Sequence, residues 1–174
     1  SLDPIRIYDY LERSRRRLLD AAGPLTPEQW AREFEIGPKS LQKTLTHLII
    51  AEWYYVKRMN REDVPPYGRW ELRDETPLAG AALEAAWALQ AEATRAAFAG
   101  VADWTETFEY EVTDDESQRM VVTTSAADLA TQLALHEAHH RAQALNIMRQ
   151  LGVTVPGGDI DFNAMMMPRR PATA

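Results

Sequence analysis

The stretch that decides the fold runs from Leu129 to Gln150 and reads LATQLALHEAHHRAQALNIMRQ. No proline or glycine interrupts it. Ser125 lies just before it with an acidic residue three positions later, which is the capping-box signature of a helix start. Gly152 and Pro156 supply a helix stop. The pattern therefore predicts a long helix that ends near Gln150.

One face of this predicted helix carries two histidines. Apolar positions recur at steps of four and three, and His136 and His140 fall on the same stripe, which is expected to face the core. Residues four apart lie only about 40° apart around a helix, so both imidazoles can reach one point. Two core histidines bonded to carbonyls or carboxylates are the alternative, but packing alone has no need of such a pair, and we favour a metal. The predicted stripe consists of Leu129, Leu133, His136, His140, Gln143 and Ile147.

Three further long helices precede this one in the sequence pattern. The spacing of apolar residues predicts helices over 5–22, 40–60 and 77–100, with a short helical turn at 26–30. The segment 106–124 instead alternates and is rich in β-branched residues around a turn at 114–117, which predicts a β-hairpin. Residues 61–75 are predicted as a loop and 155–174 as an irregular tail. We expect an all-α fold, a four-helix bundle with a short β-hairpin before the last helix, in one domain over residues 1–174.

The composition restricts the class of protein. The chain has 174 residues, of which 45% are apolar, and this suits a globular domain with its own core. Since no apolar run is long enough to span a membrane and no secretory signal pattern is present, we expect a soluble cytoplasmic protein. The net charge of −7 argues against nucleic acid or membrane partners and leaves a small-molecule substrate, with a homodimer left open. The basic run Arg13, Arg15, Arg16 and Arg17 is predicted to be the solvated face of the first helix.

The chain contains no cysteine and only four histidines. Disulfides, cysteine-ligated metals and a cysteine nucleophile are therefore excluded, and any thiol chemistry must use an external thiol. Our candidate metal site joins His47 of the second long helix to His136 and His140. Three neutral imidazoles leave one or two open positions on a divalent ion, as in catalytic sites. His139 lies one step off the stripe and is left out of the site.

For the identity of the metal and for the residues around it, the sequence leaves several alternatives open. Zinc is the first expectation, with nickel, iron or manganese as alternatives, because ligand type alone does not choose among them. Gln143 falls within about 20° of His136 around the helix, and we expect it to contact either the substrate or a metal ligand, with an amide bonded to backbone as the alternative. Tyr54 is expected to line the pocket. Gln143 and Tyr54 are the candidates for catalytic residues.

A zinc-peptidase signature overlaps the same histidines. Residues 136–140 read HEAHH, which matches H-E-x-x-H with Glu137 as general base. Glu137 lies about 100° around the helix from His136, so we expect it to point away from the histidine stripe. No glutamate follows in the usual downstream window, where Asp159 and Asp161 are the only carboxylates available as a third ligand. The surrounding sequence therefore argues against a peptidase.

Three features of the sequence occur together in one known superfamily. They are a histidine within TLTHLIIAEW at 44–53, the late His136-x-x-x-His140 pair, and the run HHRAQ at 139–143 that leads to RQLG at 149–152. On these residues the chain resembles the DinB/YfiT-like superfamily of metal-dependent enzymes, from the first helix to the tail. The glycine usual between Arg and Gln is Ala142 here, which a helix tolerates. The resemblance implies transfer of low-molecular-weight thiols to electrophiles, or isomerisation that depends on such thiols.

Three hypotheses about function follow. The first is a metal-dependent enzyme with a three-His site that acts as a thiol S-transferase, with a low-molecular-weight thiol as co-substrate. The second is a metal-dependent hydrolase. The third is a bundle without enzymatic activity that binds a ligand or dimerises, with a structural metal or none. An open metal position that solvent can reach would favour an enzyme over the third hypothesis.

Overall fold

The computed structural model describes residues 3–113, 117–155 and 160–170, and within these ranges the chain is mainly helical. The helices are α1 (Pro4–Ala22), α2 (Pro27–Ala31), α3 (Leu41–Met59), α4 (Gly80–Gly100), α5 (Ala126–Gln150) and α6 (Phe162–Met166). The strands are β1 (Thr107–Thr113) and β2 (Arg119–Ser125). A mainly helical chain with a hairpin before the last long helix is thus confirmed. The four-helix-bundle architecture and the single domain over 1–174 stay predictions.

The start of α5 is fixed by local hydrogen bonds. The Oγ of Ser125 accepts from the N–H of Asp128 at 3.1 Å, and the carboxylate of Asp128 accepts from the N–H of Ser125 at 3.0 Å. The predicted capping box is therefore confirmed. The helix ends at Gln150, and Gly152 follows with a φ of +80°, a conformation that glycine adopts without steric cost. Pro156 lies outside the described residues.

The hairpin leads directly into α5. β1 pairs with β2 in antiparallel fashion, from Thr107 opposite Ser125 to Thr113 opposite Arg119. Ser125 is both the last residue of β2 and the N-cap of α5, so the helix is tied to the hairpin without a linker. The predicted hairpin is confirmed in its two strands, and residues 114–116 of its predicted turn lie outside the described residues.

The helix α4 begins at Gly80, later than the predicted start at Pro77. The hydroxyl of Thr46 in α3 accepts a hydrogen bond from the N–H of Leu78 at 2.8 Å. Ala79 follows in an extended conformation and has no side-chain cap. This contact with α3 holds the chain extended before the helix can begin, and it is a tertiary contact that a local pattern does not contain.

The tail is not entirely irregular as predicted, because it contains α6. Asp161 caps this short helix, and its Oδ1 accepts from the N–H of Ala164 at 2.6 Å. The ring of Phe162 packs on Tyr10 of α1 with centroids 5.4 Å apart in an edge-to-face arrangement. A five-residue helix is too short to be stable alone, and this contact with α1 explains why it forms here.

Two clusters of buried apolar side chains form the core, and each draws on all four long helices. The first includes Leu18, Leu45, Leu83 and Ile147, and the second includes Leu11, Val56, Phe98 and Leu129. The two clusters lie at different levels along these helices, so each long helix buries two successive apolar segments. No helix in the described ranges is both long and apolar enough to cross a membrane.

Buried charged residues separate these two clusters. In α1, α3 and α5, the charged residue falls in sequence between the segment that joins one cluster and the segment that joins the other. Nη2 of Arg15 lies 2.6 Å from Glu52 Oε2 and 2.5 Å from Glu137 Oε2, and all three residues are buried. Tyr8 and Thr94 donate hydrogen bonds to Oε1 of Glu52 at 2.5 and 2.6 Å. The prediction that the whole basic run of α1 is solvated is therefore wrong at Arg15. Two buried carboxylates compensate the desolvation of this guanidinium.

Candidate metal centre

Three histidines from two helices meet between α3 and α5. His47 comes from α3, and His136 and His140 come from successive turns of α5. Each offers one ring nitrogen, and these three nitrogens all lie within 4.8 Å of one another. The ring centroids are 4.5 to 5.2 Å apart. Among the residues that the structure describes, no other group of three or more histidines and carboxylates has ligand atoms this close together.

Two of the three imidazoles are oriented through Nδ1. Nδ1 of His47 lies 3.1 Å from Oδ1 of Asp74, and Nδ1 of His140 lies 2.7 Å from Oε1 of Gln143. Since both oxygens can only accept, the proton belongs on Nδ1 in each ring. The lone pair is then on Nε2, the nitrogen that remains for a metal. A metal-binding histidine usually has this arrangement, with its other N–H donated to a carboxylate or carbonyl oxygen.

Two of the three histidines, His136 and His140, are held in their neutral form. Burial, together with the smaller effects of the neighbouring His140 and His47, lowers the pKa of His136 to about 4. Burial also lowers the pKa of His140, although the hydrogen bond to Gln143 opposes this shift. A neutral imidazole is the form that binds a metal. At neutral pH these two residues of α5 are therefore unprotonated ligands.

The buried face of α5 differs from the predicted stripe in its middle part, whereas Leu129, Leu133 and Ile147 of the stripe are buried as predicted. Glu137 and Arg141 are buried, whereas His136, His140 and Gln143 lie half-buried at the edge of the core face. The prediction that the histidines lie on the face that points into the core is therefore wrong. Glu137 does point away from the histidines, as predicted, but it points into the core, where it contacts Arg15 of α1. Apolar periodicity could not show this, because the buried position of Glu137 depends on a cation from another helix.

The same contacts argue against the peptidase hypothesis. Nε of Arg15 donates to both carboxylate oxygens of Glu137, at 3.1 and 3.0 Å, so this carboxylate is engaged in the core. A general base must instead reach the water whose proton it takes. Asp161 caps α6, and Asp159, the other carboxylate considered as a third ligand, lies outside the described residues.

A tyrosine not singled out in the sequence lies beside the histidines. The ring of Tyr55 is 6.4 Å from that of His136 in an edge-to-face arrangement, and its hydroxyl accepts from Gln132 at 3.2 Å. The predicted pocket residue Tyr54 is one ring further away, with its centroid 5.5 Å from Tyr55. Tyr54 also contacts Trp70 at 6.1 Å. These rings continue from the histidines along α3 toward the loop that precedes α4.

Asp74 is the site residue that sequence reasoning missed. It lies in the predicted loop after α3, which contains several other acidic residues, and nothing in the local pattern distinguishes it from them. Its backbone N–H donates to the hydroxyl of Tyr67 at 3.0 Å, which helps to hold the loop in place. Gln143, by contrast, was found from its helical angle, and its amide is bonded to His140 rather than to backbone. Catalytic roles for Gln143 and Tyr54 stay predictions.

We expect replacement of Asp74 by alanine to weaken zinc binding by about 10- to 100-fold, the usual effect of removing a hydrogen-bond partner of a ligand histidine. Competition with a chromophoric chelator measures this change. Asp63→Ala is the matched control, because Asp63 is an exposed carboxylate in the same loop. Equal losses in the two variants would show that the effect is one of net charge and not of His47 orientation.

The donor set fits a divalent metal ion. His136 and His140 are neutral, the free Nε2 atoms of His47 and His140 are defined by their hydrogen bonds, and the three nitrogens already converge. Borderline ions such as zinc and nickel accept imidazole ligands. The arrangement supplies three protein ligands, which leaves room for a further molecule on a tetrahedral or larger coordination sphere.

Comparison with known proteins agrees with this geometry. No curated protein matches the sequence. The family model described as the DinB family matches residues 2–170, which is nearly the whole chain and includes all three histidines of the site. The chain therefore belongs to the DinB family.

Proposed function

We propose that the chain is a metal-dependent enzyme that transfers a low-molecular-weight thiol to an organic electrophile. Its metal, with zinc as the first candidate, is held by His47, His136 and His140 between α3 and α5 of a four-helix bundle. The observation that carries this proposal is the convergence of three imidazoles at a site that solvent reaches, with 31% of the His47 side chain exposed. A closed structural site would instead have four protein ligands.

The choice of thiol chemistry rests on charge. Because none of the three ligands is anionic, a divalent ion there keeps its full positive charge and lowers the pKa of a thiol that reaches it. The chain has no cysteine, so the sulfur comes from a co-substrate. In the transfer, the sulfur of the thiol forms a bond to the electrophilic carbon of the substrate as the bond from this carbon to its leaving group breaks. The thiol proton passes to solvent.

The surrounding residues divide the remaining tasks. Asp74 and Gln143 orient His47 and His140 through their Nδ1 atoms. The rings of Tyr55 and Tyr54 continue from His136 along α3 and offer an apolar wall for the organic part of the substrate. In this proposal Gln143 positions a ligand and Tyr54 lines the substrate site, so neither residue takes part in bond breaking.

The experiment that tests the proposal uses the cobalt-substituted protein. We expect at least one member of a panel of small cellular thiols to change its absorption spectrum, because a sulfur ligand on cobalt gives charge-transfer bands. The same thiol should then be conjugated to a test electrophile faster than in buffer. The variant His140→Ala is the control, and it should show neither effect.

Other outcomes of this experiment would favour one of the other two hypotheses about function. If no thiol changes the cobalt spectrum, sulfur does not reach the metal and the transferase proposal is wrong. Ester or amide hydrolysis that rises with a single pKa near neutrality would then identify a hydrolase with a metal-activated water. Absence of both activities in the metal-loaded protein would support a ligand-binding module.

A further inference from the structure

A glycine in the turn before α3 lies directly against the amide of Gln143. A Cβ atom built on Gly37 would be 2.2 Å from Oε1 and 2.5 Å from Cδ of Gln143. Contacts below 3.0 Å require one of the two groups to move. Gly37 also has a φ of +46°, in the left-handed region that favours glycine. The backbone at this position therefore forms one wall of the space that the Gln143 amide occupies.

This turn is held firmly in place. The N–H of Lys39 donates to the carbonyl of Ile36 at 2.8 Å, and the N–H of Phe34 donates to the carbonyl of Lys39 at 2.8 Å. The side chains of Phe34 and Ile36 pack against the first core cluster. Because the turn is anchored on both its backbone and its side chains, a collision at Gly37 would displace the flexible end of Gln143 rather than the turn.

The amide of Gln143 is also held on its other side. Its Oε1 accepts from Nδ1 of His140 at 2.7 Å, and its Nε2 donates to Nε2 of His139 at 3.1 Å. Both ends of the amide are therefore used, and the amide has one orientation. A shift away from Gly37 would break the bond that fixes the proton on Nδ1 of His140. The imidazole would then be free to turn and to change its tautomer.

We infer that Gly37 is a positioning residue of the metal centre: the lack of a side chain there keeps the Gln143 amide on His140, and so keeps Nε2 of His140 directed at the other two histidines. This inference rests on the proposed metal centre. It gives a positioning role to a turn that lies apart from all three ligand histidines along the sequence.

The first test compares two glycines with similar backbone angles. Gly80 has a φ of +53° and nothing within 4 Å of its built Cβ, so Gly80→Ala introduces the same left-handed strain without a collision. We expect Gly37→Ala to weaken zinc binding about tenfold or more, at the lower end of the range for lost support of a ligand histidine. Gly80→Ala should bind zinc as the wild type does. Equal zinc affinities for Gly37→Ala and the wild type would overturn the inference.

A double-mutant cycle shows whether the effect passes through Gln143. In a Gln143→Ala background there is no amide to displace, so Gly37→Ala should weaken zinc binding no further. If Gly37→Ala causes the same loss in both backgrounds, the turn acts by another route and the inference is wrong. Thermal unfolding of the metal-free variants checks that each of them is folded.

A measurement on the metal-free protein separates this inference from the proposed function. Imidazole ¹⁵N chemical shifts report which ring nitrogen of His140 carries the proton. We expect the Nδ1–H form in the wild type and in Gly80→Ala, and a mixture of both tautomers in Gly37→Ala. If the tautomer shifts as expected but the wild type binds no metal, the positioning of His140 stands and the metal-dependent function fails. An unchanged tautomer in Gly37→Ala would overturn the positioning.

Discussion

Replacement of His47 by alanine is expected to abolish stoichiometric metal binding. His47 is the only ligand that α3 supplies, and without it the two histidines of α5 remain as a pair on one helix. Two imidazoles hold a divalent ion much more weakly than three, since they leave half of a tetrahedral sphere to water. Elemental analysis of protein purified without a histidine tag measures the metal content per chain.

His139→Ala is the matched control for this experiment. His139 is exposed, and its ring lies 4.9 Å from that of His140, yet it is not part of the convergent group. We expect this variant to keep one metal per chain at saturating metal, because it retains all three ligands, although it loses the hydrogen bond that His139 accepts from Gln143. Undiminished metal in His47→Ala would contradict the site, and circular dichroism of both variants shows whether a loss of metal reflects a loss of fold.

The second large effect is expected in the core. Arg15→Leu should lower the free energy of unfolding by about 3–5 kcal/mol, because Glu52 would remain buried without the cation it pairs with and Glu137 would keep only the more distant Arg141, at 3.6 Å. Such a loss is a large fraction of the stability of an ordinary domain, roughly 5–15 kcal/mol. Urea denaturation of the two proteins, followed by circular dichroism, measures the difference.

The neighbouring residue Arg16 supplies the control. Its guanidinium is exposed and lies 3.6 Å from Glu84, a surface pair whose loss usually costs less than about 1 kcal/mol. Arg16→Ala should therefore unfold at nearly the wild-type urea concentration. If Arg15→Leu and Arg16→Ala were equally stable, the two buried carboxylates would have to be protonated or hydrated in the variant, and the ion pairs would not be needed for stability.

The four long helices could be predicted because their signals are local. The cap at Ser125, the breaks at glycine and proline, and the apolar spacing of each helix all lie within a few residues of one another in sequence. The start of α4 and the burial of Arg15 could not be predicted in this way. Each depends on a partner from a different helix, Thr46 in the first case and two glutamates in the second.

The candidate site divides along the same line. His136 and His140 were found from their helical spacing, and His47 was found because the chain has few other histidines and resembles a known superfamily. Asp74 and Gly37 were not found, because they lie in loops where sequence spacing does not determine position. Their importance appears only where the loop backbone passes a ligand histidine or the residue bonded to it.

The ion pair between Arg15 and Glu137 also has a consequence for the direction of the neighbouring histidine. Glu137 directly follows His136, and a turn of α5 by one residue, about 100°, would carry its carboxylate away from Arg15. The ion pair between two buried charges would then be broken. Repacking of apolar side chains after the same rotation would cost much less free energy. The ion pair thus fixes the rotation of α5 about its own axis. With α5 in this rotation, His136 and His140 project toward His47.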